Sequence, residues 1–575
     1  MPGFFCSKYS KGKNIELINY DDTICKKSEM ICNDVIIKRN VLDKFANDKI
    51  FIENEELAIV TDGIVLNSDD LKKKYNSNDL SAIIALMAEQ DKRFFCELSG
   101  HFSGLVYYKK ENRIIAYTGP LGDHAVFYYY DNVKNIFAIG SQLNYIVDYL
   151  ELMDIQITED LHGVSCFLDF GYFLDDSTFM NEIKRLYPGD YLDIDLNLQK
   201  IKIVNYYTID VEEKDIPVED AIENLDIAFC NAITRLVKKN EEYGYKNLAD
   251  LSGGLDSRVI VYTLKRLGFD NTLLITYGQS DCNDEKIAKK ISEELGMDWY
   301  YKTLDNGKCI TQIEELLFMN SGTADYLGIT GGKDFLETIS NHHIGIEFTG
   351  LLGDVHENTM TLEDGDCKPY LSLDRYRTSR LRPLNENTFS NRMNRFKNHE
   401  MFWFYTRGMM AGMNTFLTRQ NFVEPATPFG DKEFIDALFA ISWKERTTRK
   451  IVFRWMEEKY PDAIKLPYAA TGISTKNDLA WYNVMKRRIK YYSKKALCDI
   501  KNKPVPNNMN PIDYWLKNNT NLSLFVNDYF QKNIVGISAS DEVKNRIKDL
   551  FINAGNFNDK RVALSAIAYY KLFFR

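Results

Sequence analysis

The 575-residue chain has no run approaching about 18 uninterrupted apolar residues, so no membrane-spanning helix is expected. Its first residues, Met1-Pro2-Gly3-Phe4-Phe5-Cys6, lack the basic segment and apolar core of a secretory leader. The ten cysteines, at 6, 25, 32, 96, 166, 230, 282, 309, 367 and 498, form no C-x-x-C pair, and no Cys/His cluster has zinc spacing. The seven histidines are dispersed as well, and His342-His343 reads as packing or surface. Reduced, mostly structural thiols in a cytoplasmic protein are the expectation. Excess basic charge is also lacking: 72 Lys and Arg stand against 82 Asp and Glu, a net charge of −10. That argues against nucleic acid or an anionic membrane as the partner. No low-complexity tract and no repeat is present. What remains, 45% hydrophobic and 27% charged residues, is a globular composition at a length that calls for more than one domain.

The most informative stretch is Leu251-Ser252-Gly253-Gly254-Leu255-Asp256-Ser257. Tyr245 to Ala249 alternates weakly before it, and Val259, Ile260, Val261, Leu264 and Leu267 recur at helical spacing after it. The pattern predicts a strand, a tight Gly-Gly turn and a helix N-terminus. Such a turn presents backbone N–H groups and the positive helix end to one spot, where a phosphate fits. The glycines let an anion approach where a Cβ would clash. A carboxylate there, Asp256, needs a bridging cation, and Mg²⁺ shared with phosphate oxygens is the natural one. No Lys follows the glycines, so this is not the G-x-x-x-x-G-K-[ST] loop. Ser-Gly-Gly-x-Asp-Ser resembles the pyrophosphate loop of ATP pyrophosphatases, which implies ATP cleaved between its α and β phosphates.

Residues 1–210 read as strands and short turns. Leu57 to Val60 is a strand, Asp62-Gly63 a hairpin turn and Ile64 to Asn67 the return strand. Leu80 to Met87 is an apolar helix face; Gly100–Tyr108, Arg113–Tyr117, Phe127–Tyr130, Ile136–Ile139 and Tyr191–Ile194 are further strands. Many antiparallel strands with few helices predict stacked sheets. From about 211 onward helix and strand alternate: Asp220–Lys239 as helix, Leu273–Gly278 as buried strand, Asp284–Leu295 as helix, Ile344–Thr349 as strand. That alternation predicts a doubly wound parallel sheet with its ligand at the carboxyl ends of the strands. The fold class is α/β overall, with a helical extension over 473–575. There Asn510 to Trp515 starts a helix and Tyr569 to Phe574 packs on the core; a basic run at Lys486-Arg487-Arg488, Lys490 and Lys494-Lys495 reads as a solvated face or a docking site for a leader peptide or acidic carrier.

A β-rich domain ahead of this loop resembles the asparagine synthetase family, a class II glutamine amidotransferase domain of αββα type joined to an ATP-dependent synthetase domain. Asp62-Gly63-Ile64-Val65-Leu66-Asn67 stands where the family has Asn-Gly-Glu-Ile-Tyr-Asn, Gly100-His101-Phe102 matches its Gly-x-Phe strand, and Thr178, Ile183, Leu186, Pro188 and Gly189 match its Thr…Ile…Leu-x-Pro-Gly turn. The resemblance implies the domains 1–210 and 211–575. It implies that Leu251, Ser252, Gly253, Gly254, Asp256, Ser257, Tyr277, Gly278, Thr349 and Gly350 hold ATP. Thr349 to Asp354 resembles the Ser-Gly-x-Gly-x-Asp loop, which makes Asp354 the second Mg²⁺ carboxylate beside Asp256. Lys450, in Arg449 to Arg454, matches the Lys-x-x-x-Arg helix start and is the implied catalytic cation. Glu424 to Asp431 matches Glu-x-Arg-x-Pro-Phe-Leu-Asp without its Arg, and Leu466-Pro467 to Thr471-Gly472 reads as a closing loop.

The departures carry as much information. The family's nucleophile is an N-terminal cysteine whose α-amine is the base, and here position 2 is Pro2. Cys6 lies further along the first strand, the Arg-x-Arg-Gly glutamine-binding stretch is not recognisable, and Asp62 replaces the oxyanion-donating Asn. The family's acid after Ser-Gly is Leu351. The expectation is therefore an ATP-dependent ligase that adenylates a small-molecule or peptide carboxylate and passes it to an amine without hydrolysing glutamine. Relatives of that kind resemble β-lactam synthetase and lasso-peptide cyclase, in natural-product, peptide or polysaccharide modification. The alternatives are an asparagine synthetase fed by glutamine or free ammonia, and a catalytically dead nucleotide-binding scaffold. A homodimer or a peptide or carrier partner is further expected.

Overall fold

The computed structural model describes residues 2–10, 12–18, 24–327, 331–339, 341–353, 377, 395–396, 398–446, 450–469, 492–493, 495–498 and 500–575. Asp354 and the basic run of the tail, apart from Lys495, fall outside them.

The N-terminal region forms two six-stranded antiparallel sheets face to face. In one, Gly3–Lys8 lies between Ile136–Gly140 and Val35–Leu42; in the other, Gly100–Tyr108 lies between Arg113–Thr118 and Leu57–Val65. Alternation along the strands sends Phe4, Cys6, Val35, Ile37, Val60, Leu105 and Ile139 into the space between the sheets. The outer face of one sheet is covered by helices Ser68–Tyr75 and Leu80–Gln90, the other by Leu143–Leu152 and Leu161–Phe170. This is the expected four-layer αββα stack.

One local expectation is wrong. Asp62-Gly63 is no hairpin turn but the middle of a single strand, Leu57–Val65, paired with Ser103 and Phe102. Gly63 has φ +102°, and a Cβ there would lie 2.1 Å from the His101 carbonyl oxygen. The Asp-Gly signal thus marks a close backbone approach inside a strand rather than a reversal.

The third sheet is parallel throughout, in the order Trp299–Thr303, Thr272–Gly278, Lys246–Asp250, Ile344–Phe348, Glu424–Ala426. The order reverses between Lys246–Asp250 and Ile344–Phe348, and at such a switch point the strand-end crevice opens. The 25-residue helix Val218–Glu242 and the Leu255–Arg266 helix pack on the sheet through Phe229, Ile233, Val259 and Leu264.

The tail adds Ile512–Asn518, Thr520–Asn533, Asp541–Ile552 and Phe557–Phe573. Its last helix ties the two parts together: Tyr569 stacks on Phe179 with ring centres 4.0 Å apart. Lys44 does the same between the sheets, donating to the Ile344 carbonyl at 2.8 Å and the Phe422 carbonyl at 2.7 Å. Among the described residues no helix is long and apolar enough to cross a membrane.

Candidate active site

Leu251 to Ser257 links the Lys246–Asp250 strand to the Leu255–Arg266 helix, as the sequence predicts. Its internal bonding differs from expectation. The Ser252 N–H donates to Ser257 Oγ (3.0 Å), the Gly253 N–H to Asp284 Oδ1 (2.8 Å) and the Gly254 N–H to Ser252 Oγ (3.1 Å). Three loop amides therefore shape the turn instead of facing a ligand. The helix end stays open: Gly254 is the N-cap and no side chain caps the helix. Its first N–H groups have no intrahelical acceptor.

Asp284 is the residue that sequence reasoning undervalued. It stands at the start of the predicted Asp284–Leu295 helix, and it is buried and holds the loop. Burial raises its carboxyl above the ordinary range, against the Gly253 N–H and the Arg258 charge. Arg258, fully buried, donates to the carbonyls of Gly253 (2.8 Å), Ala463 (3.0 Å), Leu466 (3.0 Å) and Pro467 (2.5 Å). It fastens the loop to the segment through 469, part of the predicted closing loop, whose Ala469 N–H donates to the Gly253 carbonyl at 3.0 Å.

The turn after Ile344–Phe348 meets this loop. A Cβ on Gly350 would lie 3.1 Å from Asp256 Cβ, and one on Gly353 would lie 2.4 Å from Asp256 Cγ. Leu352 has φ +71°, a left-handed conformation that costs a residue with a Cβ about 1–2 kcal/mol. Such strain concentrates at functional turns. Asp354 follows Gly353 directly but is outside the described residues.

A cavity of ≈ 200 Å³ lies where the two turns meet, lined by Leu251, Ser252, Asp256, Ser257, Tyr277, Thr349 and Gly350 of the predicted set. Gly253, Gly254 and Gly278 do not line it; Gly278 packs against Met509, which does. Thr349 is 2% exposed, and its Oγ1 has no hydrogen-bond partner. A buried, orphaned hydroxyl on a cavity wall fits a polar ligand. The uncapped helix end, the two glycine approaches and the Asp256 carboxylate suit a nucleotide triphosphate with Mg²⁺. Among the described residues no group of three or more His, Cys, Asp or Glu could hold a metal alone. Phosphate oxygens would have to complete the coordination.

Lys450 is not brought to the cavity. It is exposed at the start of the Lys450–Lys459 helix, its Nζ 3.4 Å from the Lys444 carbonyl. A larger cleft of ≈ 480 Å³ between 209–213 and 442–446 contains Lys444 but none of the predicted residues. Conversely, Asp250 and Arg419 line the small cavity and were not anticipated. An acid inside a strand buried on both faces was the available signal for Asp250; Arg419 had none.

At the N-terminal domain's own site, Cys6 is fully buried in the Gly3–Lys8 strand, pairing with Ile37 and Ile139. Burial pushes its thiol well above the ordinary range, the opposite of a nucleophile's environment. The Pro2 carbonyl accepts from Gln142 Nε2 at 2.8 Å. Asp62 is buried, its Oδ1 accepting from the Gly63 N–H at 3.0 Å, and burial raises its carboxyl despite Lys49 and His124. Lys49 in turn is paired at 2.6 Å with Glu424, from the edge strand of the parallel sheet, both almost fully buried. A charge network thus stands beside Asp62, the position from which the family donates to an oxyanion.

Residues 41–207 match the family description "glutamine amidotransferase domain", and residues 226–354 match "asparagine synthase". A comparison with curated proteins found no match. The second match is to a family of ATP-using enzymes and carries ATP-dependent carbon–nitrogen ligase activity in general. With an amidotransferase-type αββα stack ahead of an asparagine synthase-type parallel sheet, the chain has the architecture of the asparagine synthetase family.

Proposed function

We propose that the chain joins a carboxylate to an amine by adenylation, without hydrolysing glutamine. In this reading the substrate carboxylate attacks the α-phosphate of ATP, pyrophosphate leaves, and an amine takes the acyl group from the adenylate. The meeting of the two turns around one cavity, with Thr349 Oγ1 unpartnered, is the observation that carries it. The Leu255–Arg266 helix end would hold the departing phosphates, and the Ser252 and Ser257 hydroxyls line their side of the cavity. Asp256, with Asp354, would hold Mg²⁺, which supplies neutralising charge to the phosphates.

The buried Cys6 thiol, and proline rather than cysteine at position 2, support an amine that does not come from glutamine. The same features weigh against a glutamine-fed asparagine synthetase; one fed by free ammonia is the second reading. The acceptor is then a small molecule or peptide, in natural-product, peptide or polysaccharide modification in the cytoplasm, with a homodimer or a carrier as partner.

The test is isotopic exchange of pyrophosphate into ATP, screened over free amino acids, short peptides and uronic acids, with AMP measured. Exchange with at least one acid and formation of AMP are expected. ADP as product, or no exchange with any acid, sinks the reading. L-Glutamine alone should give no glutamate, in wild type and in Cys6→Ala alike; glutamate lost on that substitution would restore the glutaminase.

A further inference from the structure

A parallel sheet buried on both faces is expected to be apolar in its strands. Besides Glu424 on the edge strand, two acids interrupt the interior of this one. Asp250 ends the Lys246–Asp250 strand, and Glu347, 0% exposed, lies in the adjacent Ile344–Phe348 strand. Leu248 pairs with Glu347, and Asp250 pairs with Ile275 on the other side. Side chains alternate along a strand, so Asp250, Glu347 and Tyr277 share one face of the sheet.

All three converge on Arg419, 1% exposed, from the Asn414–Arg419 helix. Its Nη1 lies 3.2 Å from Asp250 Oδ2 and contacts Glu347 Oε1, and its Nη2 donates to the Tyr277 hydroxyl at 2.9 Å. One guanidinium therefore serves two carboxyls. Asp250 Oδ1 and Glu347 Oε2 are buried with no hydrogen-bond partner. Two acceptors cannot satisfy each other unless one carries a proton. Burial, with Asp250 adding to it against Arg419, pushes Glu347 up to about 7, and burial raises Asp250 as well. Burial and like-charge repulsion thus favour one proton on the pair over two charges, as in other sites where carboxyls meet. Other charged and titratable groups facing the pair are Arg419 and Tyr277, with Asp256 lining the same cavity.

Asp250 is the member at the cavity wall. On the ligase reading, attack of a carboxylate on phosphorus moves no proton, but attack by an amine must lose one. We propose that Asp250 accepts the proton released by the attacking amine, with Glu347 and Arg419 as positioning residues that keep it poised to do so. The amine nitrogen's lone pair forms the bond to the acyl carbon. The acyl–oxygen bond to the adenylate breaks, its electron pair leaving on AMP, and the N–H proton passes to the Asp250 carboxylate. This supplies, from a neighbouring strand, an acid near the position where Leu351 has none. The assignment rests on the ligase reading and is separable from it.

Two rates separate them, using the carboxylate that supports exchange and ammonium chloride as the amine probe. Pyrophosphate exchange reports adenylation; amide formation reports acyl transfer. In Asp250→Asn, transfer should fall at least about 100-fold, the scale of a lost general base, while exchange falls less than about tenfold. The inflection of the transfer rate near pH 7 should disappear in Asp250→Asn and shift in Glu347→Gln. Arg419→Lys should recover transfer relative to Arg419→Met. Parallel loss of both rates in Asp250→Asn, or an unchanged pH profile, overturns the assignment and leaves the ligase standing. Wild-type protein with no exchange on any acid overturns both.

Discussion

Gly253→Ala is a clean probe of how the loop is held. The residue's φ is outside the left-handed region, so the backbone accepts alanine, and by itself the change should stabilise by about 0.4–1 kcal/mol. The cost is steric. The new Cβ would lie 2.2 Å from Ala469 Cβ, and 3.2 Å from both Asp284 Oδ1 and Ile287 Cδ1. Carbon atoms rest at about 3.5–4.0 Å, so the 463–469 segment or the loop must move by more than about 1 Å. Overpacking of this kind costs about 1–3 kcal/mol. Either movement stretches the hydrogen bonds from the Gly253 carbonyl to the Ala469 N–H and to Arg258, and from the Gly253 N–H to Asp284. Mg·ATP affinity should fall roughly 5- to 100-fold, read by titration calorimetry. Ala469→Gly removes the principal clash while keeping the backbone bond from residue 469 to the Gly253 carbonyl. The double variant should recover about 1–2 kcal/mol, a coupling in the range of contacting residues. Unchanged ATP affinity in Gly253→Ala, or no recovery in the double variant, would refute the idea that this segment closes directly on the loop.

Two further outcomes follow from named contacts. Asp284→Ala leaves the Gly253 N–H without its acceptor, so amide exchange across 251–258 should quicken about tenfold or more, whereas Asp284→Asn keeps an acceptor and should stay within about threefold. Burial lowers Lys44 from its ordinary 10.5 to about 7, with Lys49 adding to the effect against Glu424. Between those values the unfolded chain binds more protons than the folded one, so stability should rise with pH from about 7 toward 10.5. Lys44→Met should flatten that rise in thermal unfolding and lose the bonds to Ile344 and Phe422; an unaltered pH slope would contradict the burial argument.

Much of this protein was determined by local sequence. Ser252 to Ser257 lies between a strand pattern and a helix pattern, and the turn stands where those two patterns place it. Alternation sorted the antiparallel strands, and Cys6 lies inside the first strand, as its place in the sequence indicates. What local pattern could not decide was set by partners distant in the chain. Asp62-Gly63 reads as a hairpin until His101 is seen against Gly63 across the strand pair. The loop amides look open until Asp284 and the two serine hydroxyls occupy them. Lys450 matches a motif, but the packing of its helix leaves the amine on the Lys444 carbonyl. Asp250, Glu347 and Arg419 lie up to 169 residues apart along the chain, and only the parallel pairing of two strands beneath one helix makes them a proton-sharing site. Propensity and periodicity act over a few residues; burial and the sharing of one guanidinium by two acids depend on which strands become neighbours, and the tertiary structure alone decides that.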